Sequence, residues 1–269
     1  MPSPASPVAF TILGIEVRWY AIFILLGIVA AVILVRWLAK RRGMDADFPI
    51  DAAPWVVLAG IVGARGYYIL LRFDYFLANP GEAINLRLGG LTIHGAIAGG
   101  LLMLAFLCRR QRQPFLRWCD LIVPGLALAQ AIGRWGNWAN QEAFGGPTNL
   151  PWGVAIDAGN RPPPYAASER FHPTFLYESA FNLLYAVILS WLVFNAPRLR
   201  WYRDGDALWI YLILYGSIRF VIEAMRTDSL YIGPFPAAHW ISGGMIVVGA
   251  AMLLVRHRWT STEVAGHAR

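Results

Sequence analysis

Charge is scarce in this chain. Only 14% of its 269 residues are Asp, Glu, Lys or Arg, against 57% hydrophobic residues and a mean hydropathy of +0.48. So apolar a balance excludes an ordinary soluble domain and indicates a polytopic membrane protein. Cysteine is equally scarce: Cys108 and Cys119 flank a basic loop, which implies neither a disulfide framework nor a paired metal motif. There is no internal repeat, and with it goes the pattern many secondary transporters share. No basic region precedes the first apolar run, so a cleavable signal peptide is not expected and the first helix should stay in the membrane. The formal charge of +7 would suit nucleic acid, but the basic residues cluster between apolar runs, where membrane topology accounts for them. No nucleic-acid partner is expected.

Apolar stretches lie near 18–38, 52–71, 91–108, 118–138, 174–194, 206–222 and 237–255. Each approaches the roughly 20 residues needed to cross a bilayer core of about 30 Å. Alternate linkers are basic: Lys40, Arg41, Arg42; Arg109, Arg110, Arg112, Arg117; Arg198, Arg200, Arg203; and Arg256, Arg258, Arg269. With Arg36 these make 14 of the 23 Lys and Arg, which predicts an outer N-terminus and a cytoplasmic C-terminus. The expected fold is an all-α polytopic integral membrane protein of about seven transmembrane helices. Residues 1–269 then form one transmembrane domain. Between the fourth and fifth helices, residues of about 140–171 carry Gly145, Gly146, Pro147, Pro151 and Pro162 to Pro164, which predicts an ordered outer loop or head.

Topology does not explain the other nine: Arg18, Arg65, Arg72, Arg87, Arg134, Arg161, Arg170, Arg219 and Arg226. Arg134 stands in the stretch Gly133 to Gly146 at the end of an apolar run, where an ionisable group is costly without a partner or a task. If its helix continues for two more turns, Arg134, Asn137 and Gln141 share one face. Taken alone, the stretch reads equally as an interfacial anchor, with Trp135 and Trp138 at the headgroups. Arg65, Tyr68 and Arg72 line up in the second helix, and Tyr215, Arg219, Glu223 and Arg226 in the sixth. Arg219 and Glu223 can satisfy each other as an ion pair. His94 sits among Gly89, Gly90, Gly95, Gly99 and Gly100, which favour close helix packing, and His172 precedes Pro173, with Glu178 one turn further on. Glu142, Glu178 and Glu223 are the only carboxylates expected near the outer arginines. The positive charge left over suits an anion, and in a bilayer a phospholipid headgroup.

These residues resemble the prolipoprotein diacylglyceryl transferase family over about Arg18 to Ser242. The likeness rests on Gly133, Arg134, Gly136, Asn137, Asn140 and Glu142, and is supported by four further groups. These are Arg18, Trp19 and Tyr20; His94 and Gly95; His172, Pro173, Thr174, Leu176, Tyr177 and Glu178; and Tyr215, Gly216, Arg219, Phe220, Glu223 and Arg226. Ala96 stands where many relatives have a second glycine, and His239 where glutamine is expected, so His239 receives no role. The resemblance implies a multi-pass enzyme of the bacterial cytoplasmic (inner) membrane with its active site facing the outer leaflet. It would pass the diacylglyceryl group of phosphatidylglycerol to the lipobox cysteine of a prolipoprotein signal peptide, releasing glycerol phosphate. A thiol displacing a phosphodiester at carbon needs neither metal nor cofactor. Arg134 and Arg219 are then the candidates to clamp the phosphate and stabilise the leaving charge, and His94 to take the thiol proton. Tyr20, Asn137 and Tyr215 would orient the lipid; Glu142 and Glu223 would fix the arginines or bind glycerol hydroxyls. The competing reading is a membrane transporter or channel for an anionic solute, which should carry polar groups through to the cytoplasmic half.

The basic-linker pattern makes a direct prediction. Single cysteines placed at Ala158 and Ala167 should react with an impermeant thiol reagent added to intact cells, and one at Ser261 should not. The reverse labelling pattern would invert the topology.

Overall fold

The computed structural model describes residues 3–4, 6–85 and 89–266, with side chains described to residue 258. Arg87, Arg269 and the side chain of Ser261 lie outside the described residues. Helices form at all seven apolar stretches: α1 (Trp19–Arg41), α2 (Phe48–Leu71), α4 (Ile93–Arg110), α5 (Phe115–Asn140), α6 (Thr174–Asn195), α7 (Asp206–Glu223) and α8 (Ala237–Gly266). The short α3 (Phe73–Ala78) follows α2. Besides short 3-10 turns, the chain forms three two-stranded antiparallel ribbons among the described residues: β1 (Val8–Ile12) with β2 (Ile15–Arg18), β3 (Val154–Ala155) with β4 (Arg170–Phe171), and β5 (Tyr231–Ile232) with β6 (Phe235–Pro236). The helices overrun the apolar runs at several ends, because hydropathy marks the part suited to lipid whereas the backbone ladder continues until a cap stops it.

Six of the helices are long and apolar enough to cross a membrane. The exception to the expected seven is α7, whose 18 residues include Asp206, Arg219 and Glu223. The chain is thus a mostly helical, multi-pass membrane protein.

Two compact units form, Ala39–Trp118 and Met1–Leu38 with Cys119–Arg269. In the smaller unit, α2 and α4 meet through small residues. A Cβ on Gly63 would overlap the Gly95 carbonyl, and one on Gly99 the carbonyl of Ala59. Such approach is the usual packing device where hydrocarbon removes any hydrophobic drive between helices. Arg65, buried in α2, donates to the carbonyls of Glu82 at 2.6 Å, Ala83 at 2.8 Å, Asn85 at 3.2 Å, Gly89 at 2.7 Å and Gly90 at 3.3 Å. Its partner is a loop backbone and not an anion site.

In the larger unit, α1 packs against α5 along a seam of small residues. A Cβ on Gly27 would lie 3.0 Å from the Ala129 carbonyl, one on Gly125 would lie 3.0 Å from that of Ala31, and one on Gly136 would overlap the Tyr20 ring. At the other end of α5, Asp120 accepts from the Tyr202 hydroxyl at 2.7 Å and from the backbone N–H groups of Gly205 at 2.5 Å and Leu208 at 3.0 Å. Asp206, wholly buried, accepts from the Arg203 N–H at 2.9 Å and meets His257 Nε2 at 3.0 Å. These contacts lock the α6–α7 turn onto α5 and α8.

The connection between α5 and α6 packs as a small head in this unit. Phe144, Val154, Ile156, Phe171 and Phe175 form its own apolar core, with Trp135, Trp138 and Leu176 packed against it. It therefore seats on the adjoining ends of α5 and α6.

Candidate functional site

The end of α5 is a Schellman turn built without glycine. Gln141 adopts φ +52°, its N–H reaches the Trp138 carbonyl at 3.2 Å, and the Glu142 N–H reaches that of Asn137 at 3.0 Å. A non-glycine residue is uncommon in that conformation and needs local compensation. Here the Gln141 amide donates to Asp157 Oδ2 at 2.8 Å, and its oxygen accepts the Asp157 N–H at 2.8 Å. This corrects one expectation. The helix stops at Asn140, so Gln141 pins the head instead of sharing a face with Arg134 and Asn137.

The turn sends Glu142 back over the helix end. Its Oε1 accepts from Asn137 Nδ2 at 2.9 Å and from Asn140 Nδ2 at 3.3 Å, while Asn137 Oδ1 accepts from Arg134 Nη1 at 3.3 Å. Arg134 Nη2 is ion-paired with Glu178 Oε2 of α6. The other Glu178 oxygen meets Arg219 Nη1 of α7 at 3.0 Å, and Arg219 Nη2 meets Glu223 at 2.5 Å. One continuous row thus crosses α7, α6 and α5. Glu178 and Glu223 are 3% and 5% exposed, whereas the side chains of Arg134 and Arg219 retain 21% and 17% exposure. The carboxylates form the buried side of the row and the guanidiniums its open side.

The expected surplus of positive charge is not found here, since Glu178 and Glu223 balance Arg134 and Arg219. Arg226, beyond the end of α7, is matched by Asp228 through two bonds of 2.9 and 2.8 Å. Burial alone would raise the Asp228 carboxyl, but the hydrogen bond and charge of Arg226 outweigh it and hold it below its ordinary range. Arg161 is likewise committed, donating to the carbonyls of Ile156 at 2.8 Å and Ala166 at 3.2 Å.

The remaining candidates divide between the units. Tyr20 is 37% exposed and lies against Gly136. Tyr215, one turn before Arg219, stacks on Tyr211 with centroids 5.7 Å apart, and the Tyr211 hydroxyl donates to Gln130 at 2.9 Å. His94 belongs to the smaller unit, exposed in the first turn of α4 with its ring 6.3 Å from Tyr67. His172 does not cap α6 with its ring; its Nδ1 stands 3.3 Å from the Tyr177 hydroxyl. His239 Nε2 stands 3.0 Å from the Phe220 carbonyl, its ring stacked on Phe220.

A family model described as prolipoprotein diacylglyceryl transferase matches residues 7–255. The chain belongs to that family. It is 42% identical over 261 residues to the phosphatidylglycerol-prolipoprotein diacylglyceryl transferase of Gloeobacter violaceus, covering 97% of this chain and 96% of that protein. The protein of the same name from Finegoldia magna is 39% identical over 245 residues, 91% of this chain and 93% of its own length. That of Trichormus variabilis is 42% identical over 252 residues, covering 92% and 88%.

For this family member, the residue that sequence reasoning left without a site role is Glu178, the carboxylate both arginines share. The signal was present, because Glu178 is the one carboxylate in the apolar stretch 174–194. Its removal tests the row. Glu178→Gln keeps the shape but leaves two part-buried guanidiniums short of a counter-charge, which should cost about 3–5 kcal/mol, read as lowered resistance to heat or denaturant in detergent. Unchanged stability would mean that the arginines are balanced elsewhere.

Proposed function

We propose that this chain transfers the diacylglyceryl group of phosphatidylglycerol to the cysteine thiol of a lipobox in a prolipoprotein. The single observation carrying this is the row of Arg134 and Arg219, backed by buried carboxylates and open on the other side, in a chain with these relatives. The reading treats residues 1–269 as one transferase domain with seven spans, N-terminus outside and C-terminus in the cytoplasm. It sits in the inner membrane with the site facing the outer leaflet.

In this reading the lipid phosphate takes the open side of both guanidiniums, each of which has five N–H donors and spends two or fewer on the contacts above. The substrate sulfur attacks the phosphate-bearing methylene of the diacylated glycerol, not that of the headgroup glycerol. The carbon–oxygen bond breaks, glycerol phosphate leaves with the electron pair, and a thioether remains. Arg134 and Arg219 stabilise the charge that grows on the departing oxygen. Glu178 and Glu223 keep the arginines extended and aimed, a pre-set geometry that needs no reorganisation during reaction. Asn137, Tyr20 and Tyr215 orient the lipid, and Glu142 either braces Asn137 or receives the glycerol hydroxyls. His94 takes the thiol proton. An anion transporter or channel draws no support from this arrangement, because the row is confined to one end of α5, α6 and α7.

Purified protein with labelled phosphatidylglycerol and a lipobox peptide should yield the thioether and glycerol phosphate. In that assay Arg134→Lys keeps the charge but loses the planar fork. It should lose roughly 2–5 kcal/mol of transition-state binding, about 30-fold to several thousand-fold in rate. Near-normal turnover of this variant would remove Arg134 from the clamp.

His94→Asn addresses the base. A positioned base contributes about 100-fold to 10,000-fold, and a free thiol ionises unaided only near pH 8.5 and above. Measured from about pH 6 to pH 10, the deficit of this variant should be large near neutrality and shrink in alkali. A small deficit at every pH would leave His94 a structural residue.

A further inference from the structure

Two ribbons of the larger unit share one design. The backbone N–H of Trp19, first residue of α1, donates at 3.1 Å to the carbonyl of Pro7, the residue just before β1. The N–H of Ala237, first residue of α8, donates at 2.7 Å to the carbonyl of Leu230, the residue just before β5. Each bond satisfies a helix-end donor and clamps a ribbon at the N-terminus of a helix able to span a membrane.

Both ribbons are apolar and uncovered. In β1–β2, Phe10 faces Val17 and Ile12 faces Ile15, so these four share one face, while Thr11 and Glu16 pair on the other. Phe10, Ile12 and Ile15 are about half exposed, and Leu13 at the tip is 97% exposed. In β5–β6, Ile232 faces Phe235, with Leu230 and Tyr231 alongside and Trp240 edge-on to Phe235 at 5.8 Å, all of them exposed. A two-stranded ribbon is marginal in water by itself, and a contiguous exposed apolar patch marks a surface that something covers.

We propose that the bilayer covers them: both ribbons lie in the membrane interface beside the N-termini of α1 and α8, apolar faces and tips toward lipid. Part-exposed and exposed aromatic residues follow in the first turns of the helices, Trp19 and Tyr20 on one side and Trp240 on the other, as in an interfacial aromatic belt. A docking groove for one apolar peptide has no need of the same device at two separate helices, whereas a bilayer meets both. For the site the contact has a use. β2 runs directly into α1, whose second residue, Tyr20, lays its ring on Gly136 of α5, so the depth of the ribbon bears on the level at which α1 meets α5.

The test uses the full chain in vesicles of phosphatidylcholine and phosphatidylglycerol and reads no transfer activity, so it stands apart from the proposed reaction. An environment-sensitive fluorophore is placed on Leu13→Cys, on Thr11→Cys of the polar face, and on Ile232→Cys of the second ribbon. Lipids with a shallow acyl-chain nitroxide should quench the labels at 13 and 232, and aqueous iodide should quench the label at 11 several-fold more than either. Iodide reaching position 13 as readily as position 11, without nitroxide quenching, overturns the proposal. Protection of position 13 that arises only on adding an apolar signal peptide also overturns it and makes the ribbon a peptide-docking surface.

Discussion

The arrangement hangs on one carboxylate. Glu178 is buried in α6 and divides its two oxygens between Arg134 of α5 and Arg219 of α7. A buried carboxylate in an apolar setting is costly by itself, as is each arginine, and the three are tolerable only together. Replacing the trio by hydrocarbon could hold the same helices side by side. What hydrocarbon could not do is present two guanidiniums in fixed relation with one side open, and that is what the row supplies.

Much of the larger unit serves to keep that row in register. The α1–α5 seam brings Tyr20 against Gly136, two residues from Arg134. The Schellman turn returns Glu142 to Asn137, which in turn holds Arg134. The head's aromatic core includes Phe175 and packs on Trp135 and Trp138, so it grips both α5 and α6 on either side of the Arg134–Glu178 pair. Ser179 adds a second tie, donating to the Ala131 carbonyl at 2.8 Å and accepting from Trp135 Nε1 at 3.2 Å. Packing and these hydrogen bonds therefore support from behind the geometry that Glu178 and Glu223 set directly.

Helix positions were legible because a membrane demands long apolar runs, and the run leaves its mark whatever the tertiary structure. The pairing of Arg219 with Glu223 was legible too, being set by the local helix period. Glu178 was harder, because its partners are 44 residues upstream and 41 downstream, and only the fold decides which arginines it meets. Gln141 misled because helix-end signals lean on glycine, and here a side chain bonded to Asp157 takes over that task. Asp228, two residues from Arg226, was near enough to be read, but the search for partners followed helix spacing and the pair lies in a turn. The ribbons before α1 and α8 are four or five residues and two residues per strand, too short for alternation to stand out from the neighbouring helices.

Arg65 bears on how the chain is made. It stands six residues before the end of an apolar helix, and every acceptor it uses lies 17 to 25 residues later in the sequence. During synthesis α2 therefore emerges before anything exists to receive its charge. An unpartnered arginine costs about 2.5–3.5 kcal/mol on insertion scales at a helix centre and less toward its end. The acceptor loop is followed at once by α4, which locks to α2 through Gly63 and Gly95. The smaller unit is therefore complete only once the loop and α4 have followed α2, since the charge on Arg65 precedes every one of its acceptors in the chain.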